Sequence, residues 1–160
     1  DAGFSLLSLE IESQAIAGAV LPKNSPGTAL IVNFGKEKVG LYIASNAVVR
    51  FTSTVSFKEK SATSLDFLSQ EIKKLFIYWH TLKENADKEE RRIKEITICG
   101  EDFGDETVQY LTARNDVKVI LGNVWTNVFD INTFVPPIAF LDSLRFAPAI
   151  GLALPDDILI

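Results

Sequence analysis

Three extended segments follow one another between residues 28 and 56, separated only by short polar turns. The first, residues 28–35, is an apolar run ending in Asn33 and Gly35, which is typical of a strand buried on both faces. Residues 39–45 and 47–56 give two more strands, joined at Ser45-Asn46, a hairpin-turn signal. Strands joined by such short turns pair antiparallel, so this block predicts a three-stranded antiparallel unit.

Helical and extended patterns alternate around this unit. The other predicted strands cover residues 4–10, 94–99 and 117–121. The predicted helices cover residues 12–21, a long segment after residue 61, residues 105–113, and residues 141–154, where Pro148 limits the helix start. The order β-α-βββ-α-β-α-β-α indicates one α/β domain over residues 1–160, a mixed sheet with helices on both faces.

The longest predicted helix follows the three strands and is capped by Ser61 or Ser64. Its apolar residues form one stripe: Leu65, Leu68, Ile72, Leu75, Phe76 and Trp79. The aromatic cluster Phe76, Tyr78 and Trp79 is open to two interpretations, a binding surface or packing in the core. The mixed charges of residues 83–92 indicate a solvated loop or a frayed helix end.

Composition limits the classes of function. With a net charge of −5, the chain lacks the basic character that nucleic-acid backbones favour, so no nucleic-acid partner is expected. One cysteine, Cys99, and one histidine, His80, cannot build a zinc site or an internal disulfide. No apolar run is long enough to span a bilayer, and methionine is absent. We therefore expect a segment of a longer or processed cytoplasmic protein, with no direct membrane span.

Two glycine-containing loops after predicted strands are the candidate sites for chemistry. In the first, backbone N–H groups beside Gly35 can face a phosphate, with Lys36 and Lys38 as nearby cations. A carboxylate at the end of such a strand normally holds hydrated Mg²⁺, and here that position is the neutral amide Asn33. An ordinary hairpin turn explains the same residues, and both interpretations stay open.

The second loop, residues 99–105, leads from a strand into a helix, a familiar place for the base and ribose of a nucleotide. Gly100 would let the backbone approach the nucleoside, but Glu101 and Asp102 put two carboxylates near where an adenosine would lie. These acids can instead serve as charges at the N-terminus of the next helix, which requires no ligand.

Strings of sequence along nearly the whole chain resemble the type IV pilus assembly protein PilM family. They include TALIVNFGKEKVGLYI at residues 28–43, IKKLFIYW at residues 72–79, and shorter strings at residues 10–15, 49–54, 96–100, 122–129, 136–138 and 149–154. The cell-division protein FtsA, of the same actin-like ATPase superfamily, is a more distant likeness. The resemblance implies an actin-like (ribonuclease H-like) fold of two similar halves with ATP and Mg²⁺ between them. This chain would be the second, C-terminal half, with the family's inserted subdomain absent or reduced near residues 57–64.

The resemblance also implies partners and a location. These are pilus inner-membrane assembly proteins such as PilN, reached through the other half of the protein, at the cytoplasmic face of the inner membrane. Asn33 replaces the family's Asp, and Glu101 and Asp102 replace glycines, which weakens the case for ATP hydrolysis. A scaffold with degenerate or weak nucleotide binding is therefore expected, with no catalytic residue or metal ligand assigned in this chain.

Two other functions stay open. The first is an active actin-like ATPase half. Its candidate nucleotide-binding residues are Asn33, Gly35, Lys36, Lys38, Gly100, Glu101 and Asp102. The second is a general protein-interaction domain unrelated to pili, which would use its apolar and aromatic surfaces.

Overall fold

The computed structural model describes residues 9–58, 61–130 and 132–155. Within these ranges the chain forms a five-stranded sheet in the order β3-β2-β1-β4-β5. The strands are β1 Thr28–Phe34, β2 Lys38–Ser45, β3 Val48–Ser56, β4 Ile93–Gly100 and β5 Lys118–Leu121. β2 runs antiparallel to β1 and β3, whereas β1, β4 and β5 are parallel. The predicted antiparallel unit and mixed sheet are confirmed.

The helices of the described ranges flank this sheet. They are α1 Glu12–Val20, α2 Ala62–Thr81, α3 Asp105–Arg114, α4 Phe140–Ser143 and α5 Ala147–Ala153. Of the two predicted caps of α2, Ser61 is the observed one, because its hydroxyl oxygen accepts a hydrogen bond from the amide of Ser64 at 3.2 Å. β3 ends at Ser56 and α2 begins at Ala62, so only a short connection separates them.

The core has two layers because the side chains of β1 alternate between the two faces of the sheet. Leu30 and Val32 pack on one face against α2 and α3, where Leu68, Ile72 and Leu111 are completely buried. The residue between them, Ile31, packs on the other face with Ile16 of α1 and Ala147 of α5. The apolar run of β1 is thus buried on both faces, as its sequence predicts.

Helix α1 packs closely against α5. A Cβ atom at Gly151 would overlap the carbonyl oxygen of Ala15, so the two helices approach at a distance that only glycine permits. Ala15, Ala17 and Ala19 are also completely buried. The small residues of α1 therefore allow the close packing of the two helices.

One predicted element differs from the structure, and a second lies mostly outside the described residues. The helix expected over residues 141–154 is broken into α4, a 3₁₀ turn at Leu144–Phe146, and α5. Pro148 lies at the start of α5, where its missing N–H is tolerated, but a continuous helix through it would lose a hydrogen bond. The strand expected over residues 4–10 falls mostly outside the described residues, and Leu9 and Glu10 are not in a strand.

The aromatic cluster of α2 divides between the core and the surface. Trp79 is 4% exposed, and its indole N–H donates to the carbonyl of Arg91 at 2.6 Å. Tyr78 remains 46% exposed. The charged residues 83–92 form the expected loop, with a 3₁₀ turn at Glu89–Arg91. Across the part of the chain that the structure describes, no helix has both the length and the apolar character to cross a bilayer.

Candidate functional site

A cleft of about 750 Å³ opens where β1 ends and β2 begins. It is bordered by the β1–β2 turn, the end of β3, the start of α1 and the loop after β4. Its lining residues are Glu12, Asn33, Gly35, Lys36, Glu37, Lys38, Gly40, Tyr42, Thr54, Ser56, Lys58 and Glu101. The cleft is thus polar and charged, with both signs of charge on its wall.

Two hydrogen bonds fix the β1–β2 turn, one within the turn and one from the residue after β3. The amide of Gly35 donates to the carbonyl of Lys38 at 2.9 Å, and the amide of Phe57 donates to the carbonyl of Glu37 at 2.7 Å. Two interpretations of this turn were open, a phosphate-binding turn and an ordinary hairpin turn. The N–H of Gly35 is used within the protein.

Asn33 is held by two neighbours at the end of β1. Its Oδ1 accepts a hydrogen bond from the Sγ of Cys99 at 3.5 Å, and its side chain also hydrogen-bonds Tyr42. Complete burial raises the pKa of Cys99 to about 12, so the thiol stays protonated and can donate at neutral pH. Burial also raises the pKa of Tyr42, which keeps its hydroxyl neutral. Asn33 is therefore a neutral group engaged in the end of the sheet.

The loop after β4 is fixed against the end of β1. Gly100 has φ of +99°, and a Cβ atom there would overlap the carbonyl oxygen of Phe34. The amide of Glu101 donates to that same carbonyl at 2.8 Å. Asp102 adopts φ of +62°, in the left-handed region. Gly100 is thus required for close packing between two strands, whether or not a nucleoside binds beside it.

The structure brings together five of the seven predicted site residues. Those that line the cleft are Asn33, Gly35, Lys36, Lys38 and Glu101. Gly100 packs against Phe34 and Asn33, and Asp102 is not among the lining residues. The N-cap of α3 is Gly104, and the acids of its first turn are Asp105 and Glu106.

The charges of the cleft cancel. Three lysines, Lys36, Lys38 and Lys58, face three glutamates, Glu12, Glu37 and Glu101. Among the described residues, no group of three or more His, Cys, Asp or Glu is arranged to hold a metal ion. A triphosphate with Mg²⁺ needs clustered cations or N–H donors and usually a carboxylate beside the metal. The cleft instead has lysines and glutamates in equal number, with the neutral amide of Asn33 at the end of β1.

Sequence reasoning missed the part of the cleft that β2 and β3 supply. Gly40 pairs with Thr54, and Lys38 pairs with Ser56. Counting from the Ser45-Asn46 turn would pair Gly40 with Ser53, but a bulge between Ile43 and Ala44 shifts the register by one residue, so the turn alone does not predict these pairs. Glu12 also lines the cleft, and its position there depends on how α1 packs on the sheet.

Comparisons with known proteins support the fold. No family model matches the sequence, and no curated protein matches it. Among solved structures, a PilM-PilN type IV pilus biogenesis complex matches with a TM-score of 0.66 and 15% sequence identity, covering 95% of this chain and 53% of that chain. A protein of Bacteroides thetaiotaomicron with an actin-like ATPase fold and unknown function matches at a TM-score of 0.47 and 9% identity, covering 76% of this chain and 42% of that chain. The TM-score of the second match is too low to support a conclusion about this chain.

The chain therefore spans about half the length of the PilM-PilN chain that it matches. At 15% identity the likeness shows the fold and nothing finer. Together with the strand order and the antiparallel β2, it confirms the predicted fold class. The chain has an α/β, actin-like (ribonuclease H-like) fold, with a mixed sheet covered by helices on both faces.

Proposed function

We propose that this chain is part of a PilM-like scaffold of type IV pilus assembly whose cleft binds nucleotide weakly or not at all. It would form the C-terminal half of an actin-like protein that acts at the cytoplasmic face of the inner membrane. Partners such as PilN would bind through the other half. The fold shared with the PilM-PilN structure supports the pilus role. The residues of the cleft support the loss of tight nucleotide binding.

The observation that carries the proposal is the engagement of Asn33. Its oxygen accepts from Cys99, and the position holds no charge with which to order a hydrated Mg²⁺. The cleft around it has no net charge, so it has little electrostatic attraction for a polyanion. Such a domain stabilises an assembly by its shape and its surfaces, without turning over ATP.

An active ATPase half is the second candidate. Lys36, Lys38 and Lys58 all line the cleft, and lysine ammonium groups bind phosphates as point charges. In this alternative the three glutamates of the cleft would turn away when nucleotide enters. Loss of one lysine would then reduce both ATP binding and pilus function.

A complementation experiment separates the two candidates. Cells that lack the full-length protein would receive either the unchanged gene or the Lys36→Gln, Lys38→Gln double variant, and surface pili would be counted at matched protein levels. A scaffold predicts normal piliation with both genes. Loss of pili with the double variant, at normal protein level, would favour the ATPase. Normal assembly in cells that lack the protein altogether would contradict both pilus roles.

A further inference from the structure

A second cavity, of about 380 Å³, lies at the opposite end of the sheet, where β1 begins. It is enclosed by the start of β3, the C-terminal end of α2 and the loop that follows α2. We call it the basic pocket, and its defining residues are Arg50, Phe51, Tyr78, Asn85, Lys88 and Arg91. It shares no lining residue with the cleft at the end of β1.

The basic pocket concentrates positive charge on an acidic chain. Arg50, Lys88 and Arg91 line it with one acid, Glu84, although the whole chain has a net charge of −5. Within the described part of the chain, none of these three cations forms an ion pair. The neighbouring Glu89 is instead paired with Arg92 at 3.3 Å and Lys94 at 3.4 Å. The pocket therefore presents three cations to whatever enters it.

Arg91 is held in position by two contacts with neutral groups. Its carbonyl accepts the indole N–H of Trp79 at 2.6 Å, and its Nη1 donates to the hydroxyl oxygen of Ser45 at 3.2 Å. A guanidinium has five N–H donors, so most of its hydrogen-bonding capacity is left after that contact. An arginine fixed by neutral partners is already positioned for an anion, which lowers the entropy cost of binding.

A β-bulge brings Arg50 to the same pocket. The pairing of β2 with β3 passes from Ile43↔Phe51 to Ala44↔Val49, so Arg50 is the extra residue. In a regular strand Arg50 and Phe51 would face opposite sides of the sheet. The bulge lets both line one cavity, a use of bulges that recurs beside binding sites.

An aromatic wall completes the basic pocket. The rings of Phe51 and Tyr78 lie 5.3 Å apart between centroids, tilted by 48°. Trp79 and Asn85, each 4% exposed, form the floor. The Nδ2 of Asn85 donates to the carbonyl of Trp79 at 3.1 Å. This carbonyl, near the C-terminal end of α2, therefore has a hydrogen-bond partner and does not repel a bound anion.

We propose that the basic pocket binds a small organic dianion, a phosphomonoester attached to an aromatic ring. Three cations and one carboxylate leave a formal charge of about +2, which matches a phosphomonoester carrying about −1.5 to −2 at neutral pH. The ring would pack against Phe51 and Tyr78. Walls from three elements around a cavity of this size suit a small molecule, since such ligands occupy cavities of roughly 300–1,000 Å³. The proposal does not depend on the cleft or on a pilus role.

Titration of the full-length protein with phenyl phosphate tests this inference. Calorimetry of the unmutated protein gives the affinity, and the changes of affinity in the variants below report the site. We expect saturable binding, with inorganic phosphate about tenfold weaker because it lacks the ring, and no binding of phenol. Arg50→Gln and Lys88→Gln should each weaken phenyl phosphate about tenfold through loss of a charge-assisted contact. Tyr78→Leu should weaken phenyl phosphate and leave inorganic phosphate unchanged.

The matched control is Lys36→Gln, which removes a lysine from the cleft and should leave phenyl phosphate binding unchanged. The inference is overturned if no saturable binding appears up to about 10 mM. An equal loss of affinity in Lys36→Gln and Arg50→Gln would also overturn it, since binding would then follow general charge. A phosphotyrosine peptide that binds far more tightly than phenyl phosphate would show that the natural ligand is a protein segment, which contradicts the small-molecule assignment.

Discussion

The side-chain oxygen of Asn33 accepts a hydrogen bond from the thiol of Cys99, 3.5 Å away across the β1–β4 pair. The two residues are direct partners in the parallel register, so the contact belongs to the end of the sheet. Because burial keeps the thiol protonated, Cys99 acts as a donor and Asn33 as an acceptor. This arrangement makes the strand end a structural junction, and residue 33 there is a neutral amide, not a carboxylate that could order a metal ion.

Asn33→Asp should restore part of a metal-dependent nucleotide site. A carboxylate at this position can hold the water shell of Mg²⁺, so we expect affinity for Mg-ATP to rise about tenfold. Calorimetric titrations with Mg²⁺ and with EDTA measure the change, and the gain should vanish in EDTA. Asn33→Ala is the control and should show no gain. An unchanged affinity in Asn33→Asp would mean that residue 33 is not what limits nucleotide binding.

Gly100→Ala should destabilise the domain by more than about 2 kcal/mol, because φ is +99° and a Cβ atom would overlap the backbone of Phe34. Gly104→Ala is the matched control in the same loop. It has φ of −126°, and a Cβ atom there would meet nothing within 4 Å. As an N-cap substitution it should cost less than about 1 kcal/mol. Urea unfolding of both variants measures the difference, and equal costs would contradict the packing described for Gly100.

Most helices and strands of this fold can be predicted from the sequence because they depend on local patterns. The three successive strands follow from apolar runs and short turns, and Ser61 marks the start of α2. The last helix was predicted wrongly as one piece. Its apolar periodicity continues through residues 141–154, but Pro148 and the close contact of Gly151 with Ala15 divide it. The packing of α5 against α1 therefore contributes to dividing this helix, and the apolar periodicity of the sequence does not show it.

The candidate site was predictable only in part. Asn33, Lys36 and Lys38 lie close together along the chain, so a single predicted turn identifies all three. Glu12 and Lys58 reach the same cleft from distant elements, and no sequence pattern joins them to it. Asp102 has a left-handed backbone and does not line the cleft, and its place beside a nucleotide stays a prediction.

Ile72→Ala and Ile77→Ala test which face of α2 packs on the sheet. Ile72 is completely buried, so we expect a loss of about 2–5 kcal/mol in the free energy of unfolding. Ile77 is 65% exposed on the same helix, and its substitution should change stability by less than about 0.5 kcal/mol. Chemical unfolding with matched denaturant slopes measures both. Comparable losses would mean that Ile77 is buried against another part of the protein, which contradicts its exposed position on α2.

His80 should make stability depend on pH near neutrality. Its Nε2 accepts the amide N–H of Ile93 at 3.1 Å, and burial, followed by the nearby Arg92, lowers the pKa of His80 below its usual value of about 6.5. The unfolded chain then takes up a proton before the folded one does. The contribution of His80 is therefore complete above about pH 6.5 and is lost as pH falls below it toward the lowered pKa of the folded state. Urea unfolding at pH 7.5 and pH 5.5 should show this loss.

The matched variant for that experiment is His80→Gln, which keeps an acceptor near Ile93 without a titrating group. Its free energy of unfolding should change less between the two pH values than that of the unchanged protein. The same pH dependence in both proteins would assign the effect to other groups.

Calorimetric titration of the unmutated full-length protein with Mg-ATP tests the central claim most directly. A cleft with no net charge and with Asn33 engaged by Cys99 predicts a Kd weaker than about 100 µM and no significant change on Asn33→Ala. Submicromolar binding of Mg-ATP that Asn33→Ala abolishes would contradict the account of a scaffold with a degenerate nucleotide cleft.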